Sequence, residues 1–203
     1  MGTGDDTEEY IPSEQGKLIP IASQFALLTR RQVFAEKAAW DFVENEKPNF
    51  DIATINNTYT FGPVQRQLPN LDAMNTSNHR IRDMVLGKMK EQLAPTAPVF
   101  TFVDVRDVAL AHVRAMTVPE AGGKRFYIVS SHFSNKQLAG IIRDSHPELA
   151  GVLPPEDSVD DLPADVYQFN TTRSREVLGL EYTDLKTSVN DTVDSILRFV
   201  GGA

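Results

Sequence analysis

Tyr182 and Lys186 stand four residues apart, the interval at which two side chains share one face of a helix. A phenol so placed can hand over a proton while the neighbouring ammonium favours the phenolate, the division of labour of general acid catalysis. One tyrosine and one lysine at this interval is a weak pattern. The pair lies where the chain enters its final helix, so Lys186 reads more simply as a solvated first-turn residue. Asp104, Arg106 and Asp107 form the other compact set of ionisable groups. A capping box at a helix start, with a local ion pair, explains them better than an acid–base site. His79, His112, His132 and His146 fall on separate elements without metal-ligand spacing, and no Gly-x-Ser-x-Gly elbow marks a hydrolase nucleophile.

Composition narrows the partners. The 203 residues, 41% hydrophobic and 24% charged, suit one soluble globular domain. A formal net charge of -8 disfavours a nucleic-acid backbone or an anionic membrane surface as main partner, which leaves small molecules and proteins. Cysteine is absent, so disulfides, thiolate metal clusters and a cysteine nucleophile are excluded, and a reducing compartment is expected. No run approaches ~20 apolar residues and the opening MGTGDDTEEY is acidic, so the expectation is a cytoplasmic protein without leader or membrane span.

The elements that must position these residues follow from periodicity. Gly2 to Gly16 is polar and acidic without a repeat, and Lys17 to Leu28 is a short apolar stretch without a cap. From Arg31 the pattern is helical, and Phe34, Ala35, Ala38, Ala39, Phe42 and Val43 are predicted to face a sheet. Pro48 ends that helix. Asp51 to Asn56 is predicted as a strand, followed by a turn at Phe61, Gly62 and Pro63 and a loop over Val64 to Ser77. A helix over Asn78 to Gly87 would turn Ile81, Met84 and Val85 inward. The apolar run Val99 to Val103 feeds straight into a helix over Val105 to Met116, with Asp104 and Asp107 as capping box; strand leading into helix is α/β grammar. Arg125 to Val129 reads as a further strand, and Ser134 opens a helix through Ile142 that buries Leu138, Ile141 and Ile142. Proline-rich Val152 to Pro163 is predicted as loop. Two helices close the chain: Thr172 to Leu178, stopped by Gly179, and Leu185 to Val200, with Leu185, Val189, Val193, Ile196, Leu197 and Val200 on one face.

Six segments carry a resemblance, in order along the chain. They are VFAEKAAW from Val33, TFGP from Thr60, FVDVRDVALAH from Phe102, GGKRFYIVS from Gly122, FSNKQLAGIIR from Phe133, and RSREVLGLEYTDLKTSVNDTVDSIL from Arg173. Together they resemble the C-terminal half of extended short-chain dehydrogenase/reductases, closest to fungal NADPH-dependent ketone and aldehyde reductases of the methylglyoxal reductase and dihydroflavonol reductase type. The resemblance implies an α/β fold: a partial Rossmann-like parallel sheet holding the last strands only, with helices and a small C-terminal substrate-side subdomain. Residues 1–32 would be an atypical tail and 33–203 the C-terminal portion of the reductase domain. NADP is the implied cofactor and a small carbonyl compound the implied substrate.

In that family a tyrosine protonates the carbonyl oxygen while a lysine four residues on lowers its pKa and holds the nicotinamide ribose. Counting back from Phe34 puts these positions at Leu28 and Gln32. Leucine has no proton to give and glutamine no charge, and losing either partner forfeits about two to four orders of magnitude. No catalytic residue is therefore expected in this chain. Gly2 and Gly4, with Thr7 where a third glycine should stand and no strand before them, fail as a pyrophosphate-binding turn. Asn56 to Pro63 matches a segment resembling Asn-Pro-x-x-Val-Phe-Gly-Pro, which places Asn57 and Thr58 beside the cofactor and Tyr59 in the substrate pocket. Asn57 replaces the family's proline and so regains an N–H and a freer φ. An aromatic covering the sheet edge is the plain alternative for Tyr59. Three functional readings stand: a reductase portion inactive alone; a non-catalytic pseudoenzyme or interaction module that binds a related reductase or a metabolite through exposed sheet edges; and a reductase completed by another chain.

Overall fold

The computed structural model describes residues 24–65 and 67–201, with side chains described from residue 32 onward. The chain runs α1 (Gln24–Glu46), β1 (Thr54–Asn57), β2 (Tyr59–Phe61), α2 (His79–Val85), β3 (Thr101–Asp104), α3 (Val105–Thr117), β4 (Arg125–Ile128), β5 (Ser131–His132), α4 (Asn135–Ser145), α5 (Thr172–Leu178) and α6 (Leu185–Gly201). This is an α/β fold with parallel strand pairing. β1 lies parallel to β4, with Ile55 opposite Phe126. β2 lies parallel to β3, with Thr60 opposite Val103, and β5 joins the other edge of β3 antiparallel through Thr101 and His132. Strand pairing therefore divides at Thr58, between a two-stranded and a three-stranded sheet.

The three-stranded sheet carries the larger core. Phe61 and Phe102 stack at 5.7 Å, and Phe133 meets Phe61 edge-on at 5.0 Å. Helical spacing of three and four brings Ile81 and Met84 of α2, Leu138 and Ile142 of α4, and Val189, Val193 and Ile196 of α6 onto these rings, all fully buried. Ser134 caps α4 in a complete capping box with Gln137. Beneath the two-stranded sheet, Phe126 and Ile128 pack with Ala111, Ala121, Leu178 and Leu180 in a smaller core between α3 and α5. Gly179 ends α5 in the left-handed region, φ 61°, as the sequence predicts.

Several expectations are corrected. α1 begins at Gln24 and runs unbroken across Gln32 and Val33. Its apolar stripe does not face a sheet: Phe34 is 67% and Phe42 50% exposed, and Ala35, Ala38 and Ala39 are exposed too. A polar side chain, Glu36, makes the sheet contact instead, accepting from Thr54, Asn56 and Arg125. Val200 is 58% exposed because the last turn of α6 runs past the core. Asp104 caps α3 by accepting from the Arg106 N–H at 2.8 Å, but Asp107 completes no box. Its carboxylate is claimed from outside the helix by the N–H and hydroxyl of Thr183. Strand β2, three residues long, runs into Phe61, where a turn is predicted, and β5, two residues long, falls between the predicted strand and helix where no element is predicted.

Candidate functional site

Asn57, Thr58 and Tyr59 lie together where the chain passes from one sheet to the other. Asn57 ends β1, exposed, and its amide nitrogen donates to the Thr58 carbonyl at 3.1 Å and to Thr60 Oγ1 at 2.9 Å. The Thr58 hydroxyl turns toward β3, donating to the Thr101 carbonyl at 2.9 Å. Tyr59 opens β2, half-buried, its ring 6.2 Å from Phe133. The guanidinium of Arg80 lies 4.9 Å from the Tyr59 ring centroid and donates to its hydroxyl at 3.3 Å. Arg80 carries no signal in the sequence, where an arginine on the first turn of a helix reads as solvated.

The Phe61-Gly62-Pro63 turn anchors this segment. Gly62 has φ +132°, and a Cβ there would fall 2.6 Å from Val105 Cγ1, so a side chain meets both strain and a clash. Its N–H donates to Thr192 of α6 at 3.0 Å, and its carbonyl accepts from Asn78 at 3.0 Å. Just beyond, the Val64 N–H donates to Ser195. The turn thus fixes β2 to α2 and α6 and sets where Tyr59 begins.

The two catalytic positions implied by the family resemblance lie on α1. Gln32 is exposed, while the side chain of Leu28 is outside the described residues, as are Gly2, Gly4 and Thr7. α1 is held to the small sheet by Glu36, whose carboxylate accepts from Arg125 at 2.8 and 3.2 Å, Thr54 at 2.9 Å and Trp40 at 3.4 Å. Burial alone would raise the Glu36 pKa; these hydrogen bonds outweigh it and hold the carboxyl below its ordinary value.

The other ionisable sets are structural. Tyr182 directs its hydroxyl to Ser174 on α5 at 2.7 Å and lies under the Arg175 guanidinium, while Lys186 is exposed. Burial pushes the Tyr182 phenol up, against the pull of the Ser174 hydrogen bond. For Asp104, burial is overcome by hydrogen bonds from the Arg106 side chain and N–H, which lower its pKa; for Asp107, burial dominates and raises it. His79, His112 and His132 each meet a backbone carbonyl, of Met74, Val108 and Tyr167. No group of three His, Cys, Asp or Glu among the described residues could hold a metal ion. An open pocket on α4, lined in part by Lys136, Arg143, Glu156 and Ser158, shares no residue with the Asn57–Tyr59 segment.

No family model matches the chain. Curated relatives and solved structures do. A ketoreductase of Aspergillus niger, azaE, is 55% identical over 167 residues, spanning 82% of this chain and 49% of that protein. A putative NADPH-dependent methylglyoxal reductase of Candida albicans is 37% identical over 169 residues, 81% of this chain and 48% of its own. The crystal structure of Candida albicans Gre2 in complex with NADPH aligns with TM-score 0.73 at 36% identity, covering 82% of this chain and 49% of that one. The chain is a homologue of the fungal ketone and aldehyde reductases of the extended short-chain dehydrogenase/reductase group. It spans about half the length of the curated relatives it matches.

NADPH, named for the Candida albicans reductase and present in the Gre2 complex, sets a demanding geometric requirement. A dinucleotide needs backbone N–H groups at a strand-to-helix junction to meet its pyrophosphate. At the direct junction among the described residues, β3 to α3, the buried Asp104 carboxylate already takes the helix N–H and the Arg106 guanidinium. An anion would meet a like charge there. Asn57 and Thr58 have their side-chain N–H and O–H committed within the protein. The β3–α3 junction therefore offers no free Arg106 N–H to a pyrophosphate. No helix among them is long and apolar enough to cross a membrane.

Proposed function

We propose that this chain is the substrate-side portion of an NADPH-dependent reductase of ketones and aldehydes and does not turn over carbonyl compounds alone. Residues 33–203 are the family-like part and residues 1–32 a segment foreign to it. The observation that carries the reading is Leu28 and Gln32 at the positions where the family needs a tyrosine and a lysine. Neither can protonate a carbonyl oxygen or depress a neighbouring phenol's pKa. The half-length match to the relatives supports it. Within that portion Tyr59 is the pocket aromatic for a small carbonyl substrate, and Asn57 and Thr58 flank a nicotinamide when a nucleotide-binding half is present. The acidic, cysteine-free composition suits the cytoplasm.

Titration of the chain with NADPH, followed by calorimetry and by cofactor fluorescence, tests the reading. No saturable binding and no NADPH oxidation with a ketone are expected. Micromolar binding with turnover would overturn it.

A non-catalytic module that binds a related reductase is the second reading. It is favoured by β1, which among the described residues pairs only with β4, and by α1, which meets β1 through Glu36 and exposes Phe34 and Phe42. Size-exclusion chromatography with a full-length related reductase added separates the two: co-elution supports the module, independent elution the incomplete portion.

A further inference from the structure

Arg80 commits both terminal nitrogens to neutral oxygens. Nη1 donates to the Pro95 carbonyl at 3.1 Å and to Asn135 Oδ1 at 3.2 Å; Nη2 donates to the Thr96 carbonyl at 3.0 Å and to the Tyr59 hydroxyl at 3.3 Å. The loop it grips is fixed from the far side. Asp161 accepts from the Thr96 N–H and hydroxyl, both at 2.6 Å, and Asn135 donates to the Ala94 and Pro95 carbonyls. The guanidinium is therefore held in place independently of Tyr59, over whose ring it lies at 4.9 Å.

This has a chemical consequence for the phenol. Its oxygen accepts an N–H from a cation, and no described residue accepts its own proton. A hydroxyl whose oxygen is already an acceptor is polarised into a stronger donor. We propose that Arg80 is a positioning residue that presents Tyr59 as a hydrogen-bond donor to the ligand. This corner then selects an acceptor, such as a carbonyl oxygen, over a hydrocarbon of similar shape. The inference rests on the reading of Tyr59 as a pocket residue and adds the group that sets its polarity.

Tyrosine labelled with 13C at the ζ carbon provides the test, with the Tyr59 signal assigned through Tyr59→Phe. The full chain is titrated with acetophenone and, separately, with ethylbenzene. Acetophenone is expected to move the Tyr59 signal saturably and to bind more tightly than ethylbenzene. Arg80→Leu is expected to weaken acetophenone by about twofold to fivefold, part of the worth of one neutral hydrogen bond, while leaving ethylbenzene unchanged. Arg80→Lys should recover part of the preference, and Tyr59→Phe, which leaves Arg80 in place, should make the two ligands equal. Equal weakening of both ligands by Arg80→Leu would reduce Arg80 to a structural tie and overturn the inference. So would equal affinity for both in the unaltered chain. If neither ligand binds the unaltered chain, the pocket reading itself fails and the inference falls with it.

Discussion

Around β2, β3 and β5 the protein is tied together by buried rings and aliphatic side chains: Phe61, Phe102 and Phe133 at the centre, with α2, α4 and α6 closing over them. Along α1 the ties to the sheet are polar and Phe34 and Phe42 point outward, while β1 sets Ile55 against the smaller core. Among the described side chains α1 meets the sheet through the Glu36 carboxylate. The difference teaches where the fold is self-sufficient. The region that holds Tyr59 has its own core, whereas the α1 edge, among the described residues, exposes Phe34 and Phe42 and ends the small sheet in a strand paired on one side.

The contrast breaks most visibly in stability. Phe102→Ala removes a fully buried ring and is expected to cost about 3–5 kcal/mol in denaturant unfolding. Phe34→Ala, at a residue 67% exposed, is expected to change stability by no more than about 0.5 kcal/mol. Comparable losses would mean that α1 belongs to the same cooperative core.

Glu36→Ala should act locally. Removing the carboxylate leaves Arg125, 45% exposed, to water and takes a partner from the half-buried Thr54 hydroxyl, and is expected to lower the free energy of opening α1 by about 1 kcal/mol. Amide exchange over residues 32–46 should quicken while exchange in α4 and α6 stays as it was.

Acid sharpens the same point without mutation. The Glu36 pKa lies below its ordinary value of 4.5 in the folded chain. Its stabilisation is therefore complete above that value and is lost as pH falls through the lower, folded one. Trp40, the single tryptophan, donates to Glu36, so its emission should report α1 loosening over that acidic window and stay constant near neutrality. Asp107 carries the opposite sign. Its folded pKa is raised, so its contribution is greatest below the ordinary carboxylate range and is lost as pH rises through the raised value.

Gly179→Ala is the smallest test. Its left-handed φ of 61° disfavours a side chain, but no atom lies within 4 Å of where a Cβ would stand. A purely conformational loss of about 1 kcal/mol is expected. A larger value would show that the end of α5 also depends on unseen packing.

Much of the self-sufficient region is legible in the sequence because local rules decide it. The spacing of Leu138 and Ile142 or of Val189, Val193 and Ile196 names the buried face of a helix, and Ser134 and Gly179 mark helix ends by their own chemistry. What escapes is decided at a distance. β2 and β5 are too short to show alternation and exist because β3 lies between them. The apolar stripe of α1 predicts the wrong flank against the sheet, because the flank that meets it is set by Glu36 accepting from Arg125, 89 residues on. Of the candidate site, Asn57, Thr58 and Tyr59 were visible through the family resemblance. Arg80 was not, because its role comes from a loop fixed by Asp161, far along the chain.

Native-state hydrogen exchange on the unaltered chain measures the central contrast directly. Amides of α4 and α6 are expected to exchange only through global unfolding, and those of α1 through local opening at least about 2 kcal/mol easier. Equal protection of α1 and α6, with a common denaturant dependence, would contradict the account, because the edge described as open would then be part of one core.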